Sequence, residues 1–192
     1  MDEITEILIA MACMVVAVTI AWRDFFPSIS SGILISLFTV GIGFIGHEMG
    51  HKYAAEKFGI PSRFVLWPMG ILLLFFSSLM GFIFAAVGAV YIFARRLPKN
   101  INGVISLAGP AVNIIFASIF FFVLVSSEIF GFQLAQIVKA ICVIGMKLNG
   151  FLAFFNLIPI PPLDGWKVLP WNLGAWVSTM IISLIFAFFI IP

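Results

Sequence analysis

Long apolar stretches separated by short polar segments dominate the pattern of this chain. Each stretch approaches the roughly 20 residues that a helix needs to cross the hydrocarbon core of a bilayer. The stretches cover residues 4–22, 32–58, 70–94, 103–126, 140–161 and 172–191. The pattern therefore predicts an α-helical polytopic membrane protein with five to six transmembrane helices, because an apolar stretch can also enter the bilayer and return on the same side.

The composition agrees with a membrane location. Of the 192 residues, 63% are hydrophobic and 9% are charged, which is too apolar for an ordinary water-soluble domain. The connecting segments are too short to hold a soluble domain of roughly 50 residues. We therefore predict a single transmembrane domain over 1–192, with a core at about 32–170 and peripheral helices at 4–22 and 172–191.

The charged residues exclude one class of partner. Basic residues are scattered instead of clustered, and the formal net charge is +2. Nucleic acid is therefore not an expected partner, whereas the lipid bilayer and other membrane proteins are. The oligomeric state stays open.

The first apolar stretch begins with Asp2, Glu3 and Glu6, where a signal peptide would carry basic residues. The stretch is also long for a signal-peptide core, and it lacks a small-residue cleavage signal. We therefore expect a retained helix whose acidic terminus frays.

Two histidines and a glutamate lie near the end of the second stretch, in the segment HEMGH. His47 and His51 are four residues apart, so a helix places both imidazoles on one face, with Glu48 one step round. This arrangement is typical of zinc metalloproteases, in which the histidines bind the metal and the glutamate takes a proton from the attacking water. The alternative is a solvated pair at the membrane interface. Ionisable groups in an apolar stretch are costly, however, which favours a metal site.

A third protein ligand has to be a carboxylate, a cysteine or a weaker group, since the chain has no other histidine. Glu56 lies on roughly the opposite side of the helix from His47, and its position favours an ion pair with Lys52. Asp164 remains once the acids of the terminus and of the opposite membrane face are set aside. It follows the prolines of NLIPIPPLDGW, and irregular backbone at a helix end suits a cleft lined by protein or water. An ordinary turn aspartate is the alternative.

A shared metal requires His51 and Asp164 to lie on the same side of the membrane. Three apolar stretches separate them, so one of the three must re-enter the bilayer instead of crossing it. We predict that 70–94 forms a re-entrant β-hairpin, with extended arms and a turn within 77–81. The edge of such a hairpin could hold an unwound substrate by strand addition.

The basic residues give an independent test of this topology. If 70–94 returns to its starting side, one membrane face carries most of the basic residues and Arg23 lies opposite. The shared face then carries Lys52, Lys57, Arg63, Arg95, Arg96, Lys99 and Lys167. Because basic residues accumulate in cytoplasmic loops, the site is predicted to lie nearer the cytoplasmic face of the cell membrane.

Three motifs, in this order, resemble those of the site-2 protease family of intramembrane metalloproteases. HEMGH matches the family's HExxH, GPAVN at 109–113 matches GPxxN, and 156–165 matches NxxPxxxxDG. The resemblance covers about residues 40–170, including a membrane re-entrant β-element after the HExxH helix. It implies one zinc ion held by His47, His51 and Asp164, with Glu48 activating the water.

The resemblance also implies an activity, the hydrolysis of peptide bonds in or near the transmembrane segments of substrate proteins, as in regulated intramembrane proteolysis. Asn113 and Asn156 match motif asparagines near the catalytic centre, where each could hydrogen-bond the scissile carbonyl or the developing oxyanion. Each could equally join helices through interhelical hydrogen bonds.

Two other functions fit a metal-binding membrane protein. A transporter of zinc or another divalent ion should show polar residues along a full path and ideally repeated halves, and neither is evident. A catalytically silent scaffold would have no use for Glu48 beside both histidines. Peptide hydrolysis is therefore the predicted function.

Overall fold

A computed structural model of the chain describes residues 1–83 and 87–190, and most of them are helical. In chain order the elements are α1 (Glu3–Ala21), α2 (Ile29–Ser36), α3 (Ile42–Lys57), β1 (Ser62–Leu66), α4 (Pro68–Leu79), β2 (Gly88–Ile92), α5 (Lys99–Phe130), α6 (Gln136–Asn156), α7 (Gly165–Trp171) and α8 (Leu173–Leu184). A π-helical turn at Leu37–Gly41 joins α2 to α3, and another at Ile185–Phe189 extends α8. The histidine-bearing helix is therefore continuous from Ile29 to Lys57.

Four helices of the described ranges are long and apolar enough to cross a membrane, as expected for a polytopic membrane protein. They are Glu3–Ala21, Ile29–Lys57, Lys99–Phe130 and Gln136–Asn156. The two other apolar stretches, 70–94 and 172–191, overlap shorter apolar helices, Pro68–Leu79 and Leu173–Phe189.

Local sequence signals explain several helix ends. The Asp2 side chain caps α1 by accepting a hydrogen bond from the Thr5 N–H at 2.7 Å. The Asn172 side chain caps α8 by accepting one from the Ala175 N–H at 3.0 Å. Gly131 ends α5 in a left-handed conformation with φ of 66°, which favours glycine.

The strands β1 and β2 form a two-stranded antiparallel sheet whose register runs from Ser62 opposite Ile92 to Leu66 opposite Gly88. The chain therefore leaves the sheet after β1 and comes back beside its starting point. The predicted extended arms are only partly right: β2 lies within 70–94, but the other strand precedes this stretch.

Residues 70–79 are helical, which corrects the prediction of an extended arm and moves the turn. Pro68 occupies the first turn of α4, where its missing N–H is harmless, and the following leucines favour a helix. Ser77 and Ser78 lie inside this helix, and Gly81 follows its end with φ of 85°. Part of the predicted hairpin, residues 84–86, lies outside the described residues.

Close packing holds the histidine-bearing helix against α5. A Cβ on Gly50 would lie 2.8 Å from the carbonyl oxygen of Ala108, and one on Gly46 would collide with the ring of Phe116. Glycines spaced four residues apart let membrane helices approach closely. The glycines on either side of His47 thus bring the metal-binding face of α3 against α5.

The acidic N-terminus is held in place by the sheet, so the prediction that it frays is wrong. Glu3 and Glu6 in the first turn of α1 both accept hydrogen bonds from backbone N–H groups of β1. Sequence reasoning missed this because the partners are about 60 residues away.

Candidate metal centre

His47 and His51 lie one helical turn apart on α3, and their Nε2 atoms are 3.0 Å apart. His47 is buried, and the His51 side chain is 12% exposed. Two imidazoles four residues apart on a helix can bind one metal ion. The predicted pairing of Glu56 with Lys52 also holds, at 3.4 Å, which leaves Glu56 away from the histidines.

Asp164 joins the two histidines in a buried cluster. Its Oδ2 atom lies 3.2 Å from Nε2 of His47 and 3.2 Å from Nε2 of His51. The loop that carries Asp164 folds back on the end of α6, because Gly165 packs against the carbonyl oxygen of Leu157 with no room for a Cβ.

The three ligand atoms fit a single zinc ion. They form a triangle with sides of 3.0, 3.2 and 3.2 Å. Atoms about 2.0–2.1 Å from zinc at tetrahedral angles lie about 3.3–3.4 Å apart. Gly109 on α5 keeps the neighbouring space free, since a Cβ there would collide with Nε2 of His51 and lie 2.7 Å from Nε2 of His47. The zinc expected from the sequence therefore suits this donor set, and three protein ligands would leave a fourth tetrahedral position for water.

Hydrogen bonds to the other ring nitrogens orient both imidazoles. Nδ1 of His51 donates to the carbonyl oxygen of Ile105 at 2.8 Å, and Nδ1 of His47 donates to Oδ1 of Asn113 at 2.7 Å. With Nδ1 protonated, Nε2 of each ring carries a free lone pair for the metal.

Asn113 is fully buried beside His47, and both hydrogens of its amide have partners. Nδ2 donates to the carbonyl oxygen of Gly43 at 2.9 Å and to Oδ1 of Asn149 at 2.9 Å. The amide thus has no hydrogen to donate to a scissile carbonyl in this arrangement. The structure brings Asn113 to the site as a partner of His47.

Asn156 lies at the end of α6, partly buried, and its Nδ2 donates to the carbonyl oxygen of Leu152 at 2.9 Å. Within the described residues, no hydrogen bond joins Asn156 to the histidines or to Asp164. The structure therefore does not bring Asn156 into the hydrogen-bonded cluster.

Glu48 contacts the sheet. Its Oε2 atom accepts a hydrogen bond from the backbone N–H of Val90 at 2.8 Å. Only 8% of Glu48 is exposed, and it sits on α3 between the two histidines. The predicted proton acceptor thus lies at the border between the metal cluster and β2.

The electrostatics of the cluster favour an ionised Asp164. Burial by itself raises the pKa of this carboxyl, but the positive charge of His51 in its protonated form and hydrogen bonds from both imidazoles outweigh burial and hold the pKa below its usual range. A carboxylate is the form that binds a metal. With Zn²⁺, ionised Asp164 and Glu48 give a formal charge of zero, which suits a site largely removed from water.

Several residues that shape the site did not stand out in the sequence. Asn149 anchors the Asn113 amide, Ile105 offers only a backbone carbonyl, and Val90 offers only a backbone N–H. Asn149 had a signal, because a polar side chain within an apolar helix needs a partner. Backbone groups leave no such trace in a sequence.

Three similar sequences belong to proteins that are named as zinc metalloproteases or putative zinc metalloproteases. The chain is 43% identical over 144 residues to "Putative zinc metalloprotease MJ0611" of Methanocaldococcus jannaschii, covering 74% of the chain and 73% of that protein. It is 33% identical over 143 residues to "Putative zinc metalloprotease YwhC" of Bacillus subtilis, covering 68% of the chain and 65% of that protein. "Zinc metalloprotease MJ0392" of Methanocaldococcus jannaschii is 27% identical over 126 residues, which are 64% of the chain but 30% of that protein. No family model matches the chain. No solved structure matches it.

Proposed function

Because the chain belongs to the zinc metalloprotease family of these relatives, we propose that it is an intramembrane endopeptidase of the site-2 type. It hydrolyses peptide bonds in or near the transmembrane segments of substrate proteins. One observation carries the proposal: the triangle of His47, His51 and Asp164, with Glu48 beside it, lies on and between apolar helices.

The residues of the cluster divide the chemistry between them. His47, His51 and Asp164 would hold zinc, which when bound lowers the pKa of a water molecule and polarises a carbonyl group. A Glu48 carboxylate oxygen takes a proton from the attacking water as the water oxygen bonds to the scissile carbon. Glu48 then passes this proton to the amide nitrogen, the C–N bond breaks, and the products are a carboxylic acid and an amine.

Of the two motif asparagines, Asn156 is our candidate for binding the scissile carbonyl. Its amide carries a second hydrogen beyond the one bonded to Leu152, whereas both amide hydrogens of Asn113 are engaged. Asn113 instead keeps the His47 ring in the orientation that presents Nε2 to the metal.

A transmembrane substrate has to unwind before its peptide bonds can reach this site, because a helix shields its own backbone groups. We propose that the outer edge of β2 holds the unwound segment by strand addition. The support is the position of this edge: the N–H of Val90 contacts Glu48.

The segment from β1 to β2, including α4, is proposed to enter the bilayer and return on the same side, because its two strands are antiparallel neighbours. Five to six crossings remain the proposed count. The resulting topology collects basic residues on the side of the metal cluster, so the active site is proposed to lie nearer the cytoplasmic face of the cell membrane.

Purified protein in detergent or nanodiscs tests the function. The assay compares the wild type with Glu48→Gln on a model transmembrane substrate, with and without a chelator. We expect chelation to stop cleavage, and Glu48→Gln to lower kcat about 10²–10⁴-fold while zinc, measured by atomic absorption, stays bound. Asp24→Asn, on an exposed acid outside the cluster, is the control. Full activity of Glu48→Gln would contradict the mechanism.

A further inference from the structure

The first turn of α1 lies along the outer edge of β1. Oε1 of Glu3 accepts the Phe64 N–H at 2.7 Å, and Oε2 of Glu6 accepts the Leu66 N–H at 2.9 Å. Phe64 and Leu66 are alternate residues, so their N–H groups point to the same side of the strand, away from β2. The two carboxylates thus take the bonds that a neighbouring strand would take.

Two basic side chains strengthen the contacts that cover the β1 edge. Nζ of Lys52 donates to both oxygens of Glu3 at 2.7 Å, and Nη2 of Arg63 donates to Oε1 of Glu6 at 2.7 Å. Lys52 follows His51 on α3, so Glu3 also ties the metal-binding helix to the sheet. Hydrogen bonds to ionised groups are stronger than neutral ones, which makes this edge hard for a peptide to displace.

The outer edge of β2 is covered more weakly. Val90 lies opposite Phe64 in the register, so its N–H also points away from the other strand, and it meets Oε2 of Glu48 at 2.8 Å. By the alternation of an antiparallel strand, Gly88 and Ile92 present backbone groups on the same side as Val90. Among the described contacts, the bond from Val90 to Glu48 and a local bond from the Ala94 N–H to the Ile92 carbonyl at 2.9 Å cover this edge, against two bonds to carboxylates and two ion pairs at β1.

We propose that Glu3 and Glu6 are positioning residues that block the β1 edge, so that an extended peptide pairs only with the β2 edge, where it displaces Glu48 from the Val90 N–H. This inference rests on the proposed function, and the partner is the unwound part of a transmembrane segment. The displacement frees the Glu48 carboxylate beside the scissile bond. Because Glu3 and Glu6 block β1, only one of the two edges of the sheet accepts a peptide.

Cross-linking can show which edge a peptide uses. Val65 and Ala89 are direct cross-strand neighbours and both are exposed, so Val65→Cys reports on β1 and Ala89→Cys reports on β2. Each is placed in a Glu48→Gln background with Cys13→Ala and Cys142→Ala. The probe is a synthetic transmembrane peptide with a single cysteine.

We expect disulfide formation at Ala89→Cys to exceed that at Val65→Cys by about tenfold or more. Adding Glu3→Ala and Glu6→Ala should raise cross-linking at Val65→Cys to a level similar to that at Ala89→Cys. Glu3→Gln with Glu6→Gln should give a smaller rise, because an amide oxygen still accepts the backbone N–H without the charge. Equal cross-linking at both positions before the acids are changed, or no change after, would overturn the inference.

Kinetics give a readout that simple loss of structure would not produce. With Glu48 intact, opening the β1 edge creates a site where the peptide binds unproductively, so Glu3→Ala with Glu6→Ala should lower kcat and KM by the same factor and leave kcat/KM unchanged. A fall in kcat with constant KM would contradict the inference, because it indicates inactive protein. Cross-linking does not require cleavage. If the wild type cleaved no substrate, the proposed function would be contradicted, but the cross-linking experiment would still show which edge binds the peptide.

Discussion

Oδ1 of Asn113 accepts a hydrogen bond from Nδ1 of His47 at 2.7 Å, across 66 residues of sequence. Because Asn149 and the carbonyl of Gly43 occupy the amide nitrogen of Asn113, the oxygen has to face the imidazole. This contact links the GPxxN segment to the metal cluster, and it explains why a buried asparagine lies in the middle of a membrane helix.

Removing this contact should weaken metal binding. We expect Asn113→Ala to lower zinc affinity about 10–100-fold, because the His47 ring loses the partner that fixes its orientation. Competition with a fluorescent zinc chelator measures the change. Asn156→Ala is the matched control, since its amide bonds within its own helix. Equal zinc affinities for Asn113→Ala and the wild type would contradict this role.

The space beside the ligand atoms depends on Gly109. Gly109→Ala should abolish measurable zinc binding while the helices stay folded, because the new methyl group collides with Nε2 of His51. Circular dichroism and zinc content together check this result. Gly174→Ala is the control, as the nearest atom to its Cβ is Oδ1 of Asn172 at 3.4 Å. Normal zinc content in Gly109→Ala would show that the metal lies elsewhere.

Zinc should stabilise the folded protein, since the ligand triangle exists only when α3 and the Asp164 loop are in place. At a free zinc concentration about 100 times Kd, the stabilisation is about 2.7 kcal/mol. Thermal unfolding in detergent, with zinc or with a chelator, measures it as a rise in Tm. Asp164→Asn should lose most of the rise in Tm. A wild-type Tm that does not change with zinc would contradict the proposed metal site.

Val90 offers a test of the β2 edge that spares the sheet. Its N–H points away from β1, so Val90→Pro removes the bond to Glu48 while leaving the ladder bonds of the neighbouring residue pairs. We expect kcat/KM to fall about 2–10-fold with zinc content unchanged, because the substrate strand loses the Val90 N–H as a donor and a neutral hydrogen bond contributes about 0.5–1.5 kcal/mol. Val90→Ala keeps the N–H and should stay close to the wild type. If both variants behave alike, the N–H has no role.

The sequence was a good guide where a local pattern decides the structure. The spacing of His47 and His51 places both on one helix face through the regularity of the helix alone, and long apolar stretches identify helices able to span a bilayer. Elimination among the few acids led to Asp164, and the structure joins it to the histidines.

Prediction failed where an apolar run fits two structures. The residues of α4 are apolar enough for a strand or a helix, and periodicity does not distinguish the two in a buried segment. Residues 70–79 are helical, and β1 supplies the strand that pairs with β2. The acidic first turn of α1 was misjudged for a related reason, because its partners are backbone groups far along the chain.

By itself, then, the sequence determined the metal-binding residues and the membrane environment of this protein. The donor set is two histidines and one carboxylate with a glutamate beside it, and the helices that carry it are apolar enough for a bilayer. The tertiary structure decided which atoms meet. Asn113 faces His47, Glu48 reaches the N–H of Val90, and the acids of α1 cover β1. The physical reason is that ligand chemistry and helix periodicity are local, whereas hydrogen bonds to backbone groups depend on how distant segments pack.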